Sequence, residues 1–264
     1  MAATIKYGDT KWAVKDGNTL GYNDENRFKP VPFDFTRNSI GTRVDRNGLI
    51  ETIGNNIPRI DFTDNTDGHL LLEPQSTNLL TYSEDFSQWT LGSNSTLTYE
   101  SDVVAPDGSL GVYRLTNPAT SSTYIQSPLF TYNNPITLSI YAKYADASNN
   151  EFDLYDGTNT TRKITTSEWQ RFDAVGFGNQ LTIVNSGDTF TSDIYIWGGQ
   201  AEALSYPTSY IPTNGSTVTR ASETCTNAGN STLINSTEGV LYLEIAALEN
   251  DGTKRRITLN NGTS

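Results

Sequence analysis

Carboxylates are the residues of this sequence best suited to acid–base chemistry, and the nearest pairs are Glu84 with Asp85 and Asp153 with Asp156. A glycoside hydrolase needs two carboxyl groups that face each other across a cleft at a set separation. Asp156 precedes Gly157, and Asp-Gly is a common turn sequence because glycine adopts positive φ without steric cost. Turn and surface positions therefore account for these carboxylates, and the sequence predicts no catalytic residue and no enzyme.

Nucleophilic and metal chemistry have few candidate residues. The chain contains one histidine, His69, and one cysteine, Cys225. This count excludes zinc sites of ordinary composition, and no GxSxG nucleophile motif is present. A single cysteine also excludes an intrachain disulfide. We expect His69 to have a structural role.

Charge and hydropathy exclude two classes of partner. The net charge is −12 and the sequence pI is about 4.5, so phosphate backbones and anionic membrane surfaces are repelled. No apolar run approaches the length of a membrane span, so we expect no membrane insertion. The N-terminal sequence MAATIKYGDTKW has no apolar core or cleavage site of a signal peptide, which predicts synthesis in a cytoplasm.

The elements that position these residues are predicted to be short strands, because β-branched and aromatic residues recur between Gly, Asn, Asp and Pro. In Ile136–Tyr144, apolar and polar residues alternate, which predicts one buried face and one wet face carrying Tyr141. The candidate strands of the main module are Thr96–Glu100, Leu110–Leu115, Thr123–Gln126, Ile136–Tyr144, Glu151–Tyr155, Thr160–Thr165, Trp169–Ala174, Leu181–Val184 and Asp193–Trp197.

Aromatic rings in or beside these strands are candidates for stacking on sugar rings, since Trp and Tyr offer flat, rigid surfaces. We predict ligand contacts for Tyr141, Trp169, Tyr155 and Tyr124. Tyr141 and Trp169 are the first two to test, because Tyr141 lies on the polar face of its strand and Trp169 lies near a loop edge. The alternative for each ring is a contact within the core or with a neighbouring subunit.

Two groups of segments resemble those of bacteriophage tail-fibre and other virion appendage proteins. TRVDRNGLIETIGNNIPRIDF (42–62) and GHLLLEPQSTNLLTYSEDFSQW (68–89) precede the strands, and IYIWGGQAEALSYPTSYIPTNGSTVTRASE (194–223) ends them. In that family such segments frame a jelly-roll module like carbohydrate-binding ones, and the resemblance covers roughly residues 30–225. Within the last segment we interpret SYPTSYIPTNGSTVTR (205–220) as a strap that returns along the sandwich, with Arg220 paired to an acid or to backbone carbonyls.

The predicted fold is all-β, a jelly-roll β-sandwich preceded by a small β platform and an extended N-terminal arm. The linker is inferred from polar, nearly uncharged sequence, and the last segment from a predicted hairpin that is too small to bury a core. The predicted domains are an arm for attachment or oligomer contacts (1–29), the platform (30–78), the sandwich (79–212), a linker (213–237) and the truncated start of a concanavalin- or laminin-G-like β domain (238–264).

The resemblance also implies a structural calcium, because jelly-roll carbohydrate modules often hold one between an early loop and a late strand. Glu84 and Asp85 lie in the early loop and Asp193 opens the late strand, and their carboxylates are hard oxygen ligands. The alternative is that these residues only stabilise turns. No other cofactor is expected.

As function, the resemblance implies a structural subunit of a tail or head fibre that mediates attachment and recognises host-surface polysaccharide without catalysis. It further implies a homotrimer that contacts other virion structural proteins and is located in the virion. The alternative is the anchor and accessory module of a glycan-depolymerising tail spike whose catalytic part lies beyond residue 264. A secreted bacterial adhesin is disfavoured because no signal peptide is predicted.

Overall fold

The computed structural model describes residues 12–15, 18–24, 27–29, 33–63, 66, 68–131, 135–185 and 190–226. The predicted further domain at 238–264 lies outside these residues, as does the end of the predicted linker. Among the residues that are described, no helix has the length and hydropathy of a membrane span.

Short strands dominate the described chain. The arm and platform contain β1 (Trp12–Lys15), β2 (Asn18–Asp24), β3 (Arg27–Lys29), β4 (Asp34–Thr36), β5 (Gly41–Val44), β6 (Ile50–Ile53), β7 (Arg59–Asp61), β8 (His69–Leu71) and β9 (Ser76–Asn78). The sandwich contains β10 (Thr90–Leu91), β11 (Thr96–Val104), β12 (Leu110–Asn117), β13 (Tyr124–Gln126), β14 (Ile136–Tyr144), β15 (Glu151–Tyr155), β16 (Thr160–Ile164), β17 (Gln170–Gly176), β18 (Thr182–Val184) and β19 (Ser192–Glu202). The returning segment contains β20 (Val218–Arg220) and β21 (Thr224–Thr226), and single 3-10 turns occupy Phe86–Gln88 and Ala147–Asn149.

Two antiparallel five-stranded sheets form the jelly-roll β-sandwich that the sequence predicts. We call β10-β13-β18-β15-β16 the open sheet and β11-β12-β19-β14-β17 the covered sheet. Strand alternation directs one side of each sheet into a common apolar core. The core includes Leu138 and Ile140 of the covered sheet and Phe152 and Ile183 of the open sheet, all at most 1% exposed. All nine predicted strands of the module are present, with ends shifted by a few residues.

The largest shift in a strand end has a local cause. β19 continues five residues past Trp197, to Glu202, and a β-bulge opposite β14 accommodates the Gly198–Gly199 pair. Gly198 has φ +63, a conformation that favours glycine, so the two glycines bend the strand without ending it. Glycine is depleted in strands, which is why the sequence pattern ends the element too early.

The platform is built from small two-stranded sheets, some of which join distant parts of the chain. β5 pairs with β6 and β7 with β8, whereas β9 pairs with β20 and β4 with β21. Prediction of a linker at 213–237 is therefore wrong for its described part. The threonines and serines of this segment are compatible with short edge strands. Strands β9 and β4 of the platform pair with β20 and β21.

Two further outcomes concern the arm and the covered sheet. Within the predicted arm, β1, β2 and β3 form an antiparallel sheet. On β14, the face predicted to be wet is buried over its first half: Thr137 and Ser139 are fully buried, whereas Tyr141 and Lys143 are partly exposed. The β5–β6 hairpin and the strap lie over this face, with Val44 and Ile50 packed in one apolar cluster with Trp197. Strand alternation identifies the two faces correctly but cannot reveal that another part of the chain covers the second one.

Candidate functional site

The four predicted ligand-binding rings lie on opposite sides of the sandwich. Tyr141 and Trp169 belong to the covered sheet, on the side that faces the platform. Tyr124 and Tyr155 belong to the open sheet, on the side that faces away from the core. The structure therefore places the four rings in two separate pairs, and only the second pair lines an open cleft.

Tyr141 is a packing residue, contrary to the prediction of an exposed ring. Its ring lies edge-on to Trp197, with centroids 5.7 Å apart, and edge-on to Tyr210 of the strap at 6.2 Å. The guanidinium of Arg171 lies 5.5 Å from the ring centroid. Burial raises the pKa of the Tyr141 phenol, and Arg171 opposes part of that rise. These contacts make Tyr141 part of the packing between the covered sheet and the strap, although the residue stays partly exposed.

Trp169 is also held by the protein, although it remains partly exposed. Its indole Nε1 donates to the carbonyl oxygen of Val104 at 2.8 Å. The Lys143 ammonium lies 5.0 Å from the ring centroid, a cation–π contact that occupies one face. Trp169 lies just before β17, near a loop edge as predicted, and its side chain ties this point to the end of β11; a ligand contact of this ring stays a prediction.

An open cleft of about 410 Å³ lies on the outward side of the open sheet and contains both remaining predicted rings. Strand register explains why they meet: Gln126, Thr182 and Tyr155 form one row across β13, β18 and β15, and Tyr124 and Val184 begin the next row. Two strand spacings and two residues along the strand separate the two tyrosines, about 12 Å between Cα atoms. The two tyrosines therefore enter the cleft from separate strands, an arrangement that suits an extended ligand.

Several residues of the cleft were not predicted from sequence. The described lining adds hydroxyls and amides from Ser121, Ser122, Thr123, Gln126, Thr160, Thr182 and Asn185. The alternation of β13 and β18 places Gln126 and Thr182 on the same side as the tyrosines, so the register was a usable signal. The register could not be read from sequence alone, because β18 lies between β13 and β15 in the sheet but follows both of them in the chain.

The walls of the cleft are held in place by close backbone packing. At one end, the loop at Ser122 (φ +61) lies against Gly92, where an added Cβ would come within 2.3 Å of the Ser122 carbonyl oxygen. Asn94 donates from its amide to the Ser121 carbonyl oxygen at 2.7 Å. At the other end, the Tyr155 hydroxyl donates to the carbonyl oxygen of Gly157 at 2.8 Å. These contacts preorganise the lining, which lowers the entropy lost on binding.

The carboxylates considered for catalysis have structural partners. The Arg162 guanidinium donates to Asp153 at 2.5 Å and to Glu151 at 2.6 Å, and these hydrogen bonds raise the pKa of Arg162. Asp156 accepts from the backbone amides of Thr158 and Asn159, so it stabilises the turn as its Asp-Gly sequence predicts. The described lining of the cleft contains no carboxylate.

The three carboxylates predicted to hold calcium are engaged in separate contacts. Asp193 accepts two hydrogen bonds from Arg114, at 2.5 and 2.7 Å. Glu84 accepts from the Tyr210 hydroxyl at 2.7 Å, and Asp85 accepts from Ser87 at the start of a 3-10 turn. Within the described ranges, no three His, Cys, Asp or Glu side chains approach as a metal site requires. The structure does not bring Glu84, Asp85 and Asp193 together as one ligand set.

A buried ionic network joins the two groups of segments that carry the sequence resemblance. The side chains of Arg37, Arg59 and Arg220 are at most 1% exposed. Arg59 contacts Glu73 at 2.7 Å and Glu223 at 2.6 Å, Arg37 contacts Glu223 at 2.7 Å, and Arg220 contacts Glu73 at 2.9 Å. Arg220 also donates to the Pro74 carbonyl oxygen at 2.7 Å, which confirms the prediction of an acid or carbonyl partner.

The ion pairs of the network link the two groups of segments. Arg59 and Glu73 come from the first two segments and contact each other, and each also contacts a residue of the last segment, Glu223 and Arg220 respectively. Burial raises the pKa of the Glu73 carboxyl, but the charges of Arg220 and Arg59 outweigh burial and hold it below its usual value. The network therefore joins the platform to the last segment, and these segments contribute no residue to the described lining of the cleft.

No protein-family model and no curated protein matches the chain. One similar solved structure contains the CBM22-1 and GH10 modules of an endo-1,4-β-D-xylanase from Clostridium thermocellum. The identity is 16%, the match covers 47% of this chain and 27% of that one, and the TM-score is 0.33. The CBM22-2 xylan-binding domain from Paenibacillus barcinonensis matches at 10% identity, over 49% and 98% of the two chains, with a TM-score of 0.31. The enzymatically active domain of tailspike protein 4 from bacteriophage CBA120 matches at 16% identity, over 47% of this chain and 21% of that one, with a TM-score of 0.30. At this distance the comparisons identify neither a ligand nor a partner of this chain.

Proposed function

We propose that this chain is a structural subunit of a virion appendage and that its sandwich binds a host-surface glycan in the cleft without hydrolysing it. The observation that carries the proposal is the cleft of the open sheet, where Tyr124 and Tyr155 stand among neutral amides and hydroxyls. Aromatic rings provide apolar faces for sugar rings, and amides and hydroxyls pair with sugar hydroxyls. The virion role rests on the sequence resemblance of residues 42–89 and 194–223.

Binding without hydrolysis follows from the chemistry of the lining. Glycoside hydrolysis needs a general acid and a second carboxylate beside the scissile bond. Asp153 and Glu151 lie on the same side of the open sheet, but both are bound by Arg162. A cleft lined by neutral groups holds a glycan without supplying the proton that cleavage requires.

The test is a binding screen of the whole chain against soluble polysaccharides and host cell-wall extracts, by glycan array and affinity electrophoresis. We expect Tyr124→Ala and Tyr155→Ala to weaken binding while the melting temperature stays unchanged. Tyr99→Ala is the matched control, because Tyr99 is 57% exposed and lies on an edge strand of the covered sheet. Equal loss in all three variants, or release of reducing ends by the wild type, contradicts the proposal.

The appendage assembles as a homotrimer in this proposal and contacts other virion proteins through residues 1–29. The support is the resemblance, together with an arm sequence too poor in apolar residues to form a core of its own. Light scattering of the intact chain is expected to give three times the monomer mass. A chain that begins at Pro30 is expected to keep its circular dichroism and to lose the trimer. A stable monomer of the intact chain at micromolar concentration contradicts this assembly.

A further inference from the structure

The described lining of the cleft offers many hydrogen-bonding groups but no charge. Its side chains are hydroxyls, amides, two phenols and one valine. The guanidinium that stands on the same side of the sheet, that of Arg162, is already bound by Asp153 and Glu151. The other contact of this guanidinium is the Phe190 ring, whose centroid lies 3.8 Å away. An anionic ligand in the cleft would therefore find no free cation among these groups.

Asn185 contributes a neutral and fixed side chain to one wall of the cleft. Its amide nitrogen donates to the carbonyl oxygens of Asn117 at 2.8 Å and Phe190 at 3.1 Å. Only the nitrogen of the amide can donate, so these two bonds fix the orientation of the group. The opposite atom, Oδ1, is buried. The Asn185 amide therefore holds this wall in place and brings no charge to the lining.

We propose that the cleft selects uncharged polysaccharides and excludes those that carry uronic acid, sialic acid or sulfate groups. This inference rests on the proposed function and adds the chemical class of the ligand. An acidic sugar would lose hydration of its charge in the cleft, and no cation there compensates for that loss. A neutral sugar meets donors and acceptors for its hydroxyls and two rings for its apolar faces.

The first experiment compares affinities of the intact chain for two sets of probes. Galactomannan, arabinoxylan and hydroxyethyl cellulose are the neutral set, and polygalacturonate, alginate and chondroitin sulfate are the acidic set. Measurements at low salt and at about 0.5 M NaCl separate cleft selectivity from general repulsion by the net charge of −12, because exposed charges are screened at high salt. We expect a neutral probe to bind, and every acidic probe to bind at least about tenfold more weakly at both salt concentrations.

The outcomes separate this inference from the function on which it rests. If an acidic probe binds as tightly as the neutral ones, and Tyr124→Ala weakens it, the selectivity is wrong and glycan binding in the cleft stands. If no probe of either set binds and host extracts also fail, the proposed function is overturned and the selectivity falls with it.

The second experiment introduces the missing cation. Gln126→Lys places an ammonium group in the lining, whereas Gln170→Lys makes the same change of charge at an exposed position on the covered sheet. We expect Gln126→Lys to raise affinity for an acidic probe at least about fivefold over the wild type at high salt, and Gln170→Lys to leave it unchanged. An equal gain in both variants, or none in Gln126→Lys when its melting temperature is that of the wild type, contradicts the inference.

Discussion

The outward faces of the two sheets each carry a tyrosine that alternates with core residues, but the two tyrosines have different surroundings. On the covered sheet, Tyr141 alternates with core residues and packs against Trp197 and Tyr210. On the open sheet, Tyr155 alternates with core residues in the same way and lines a cleft. The platform and strap lie over the first face, and the second is open in the described part of the chain. Strand alternation therefore distinguishes the core side of a strand from its other side, but it does not decide whether the other side is wet.

The platform over the covered sheet and the surface of the open sheet are stabilised by different kinds of ion pair. The platform is fastened by charges that are removed from water, as in the contact of Arg59 with Glu223, where both side chains are 0% exposed. The surface pair of Arg162 and Glu151 on the open sheet has side chains that are 40% and 39% exposed. A buried pair is costly to break because the remaining charge stays desolvated, whereas water solvates the remaining partner of an exposed pair. Variants of the two regions should differ accordingly.

The largest effect is expected from breaking the buried network. Glu223→Ala leaves Arg37 and Arg59 without a shared partner and should lower the free energy of unfolding by about 3–5 kcal/mol. Glu151→Ala, the matched exposed deletion, should cost about 0–1 kcal/mol. Urea denaturation monitored by tryptophan fluorescence measures both. Similar losses of unfolding free energy in the two variants would show that the buried network does not stabilise the platform.

The next effect concerns the covered ring. Tyr141→Ala removes contacts with Trp197 and Tyr210 and should lower the free energy of unfolding by about 2–3 kcal/mol, since the ring is only partly buried. Glycan affinity of the folded fraction should not change, because the ring lies on the sheet opposite the cleft. Calorimetric binding below the melting temperature measures this, and a specific loss of affinity would return Tyr141 to the ligand site.

The tyrosine rings in the cleft should show the reverse pattern, a loss of glycan affinity with little change in stability. Tyr155→Ala is expected to reduce glycan affinity about tenfold, which corresponds to about 1.4 kcal/mol. Its unfolding free energy should change little, because the ring is half-exposed and its hydroxyl contacts only the neighbouring turn at Gly157. The same titration with Tyr99→Ala is the control. A large fall in melting temperature without an affinity defect would make Tyr155 a structural residue.

The smallest effect is expected on mild acidification. The pKa of Glu73 in the folded chain lies below its ordinary value, so the unfolded chain binds this proton at a higher pH than the folded one. The stability that Glu73 contributes is present above the unfolded pKa, about 4.3, and is lost as the pH falls through the lower folded pKa. Unfolding free energies between pH 7 and about pH 4 should therefore begin to decline only near the lower limit. A free energy of unfolding that increases as the pH is lowered over this range would contradict the lowered pKa of Glu73.

Much of the fold was predictable because it depends on local pattern. The nine strands of the sandwich follow from β-branched and aromatic runs bounded by turn residues, and β14 shows its core side in the alternation of Ile136, Leu138 and Ile140. Two of the four predicted rings, Tyr124 and Tyr155, lie in the cleft. The prediction for Arg220 also succeeded, because a buried arginine must find an acceptor wherever it lies.

Local pattern is enough to derive the set of strands, the side of each strand that is apolar, and the need of each buried charge for a partner. These are local properties, since they depend on side-chain chemistry and a two-residue repeat. Tertiary structure alone decided which outward face the platform covers, which rows of residues meet across β13, β18 and β15, and that Glu73 and Glu223 share Arg59. These depend on contacts between residues distant in the chain, and a strand pattern carries no information about which distant segment will lie beside it.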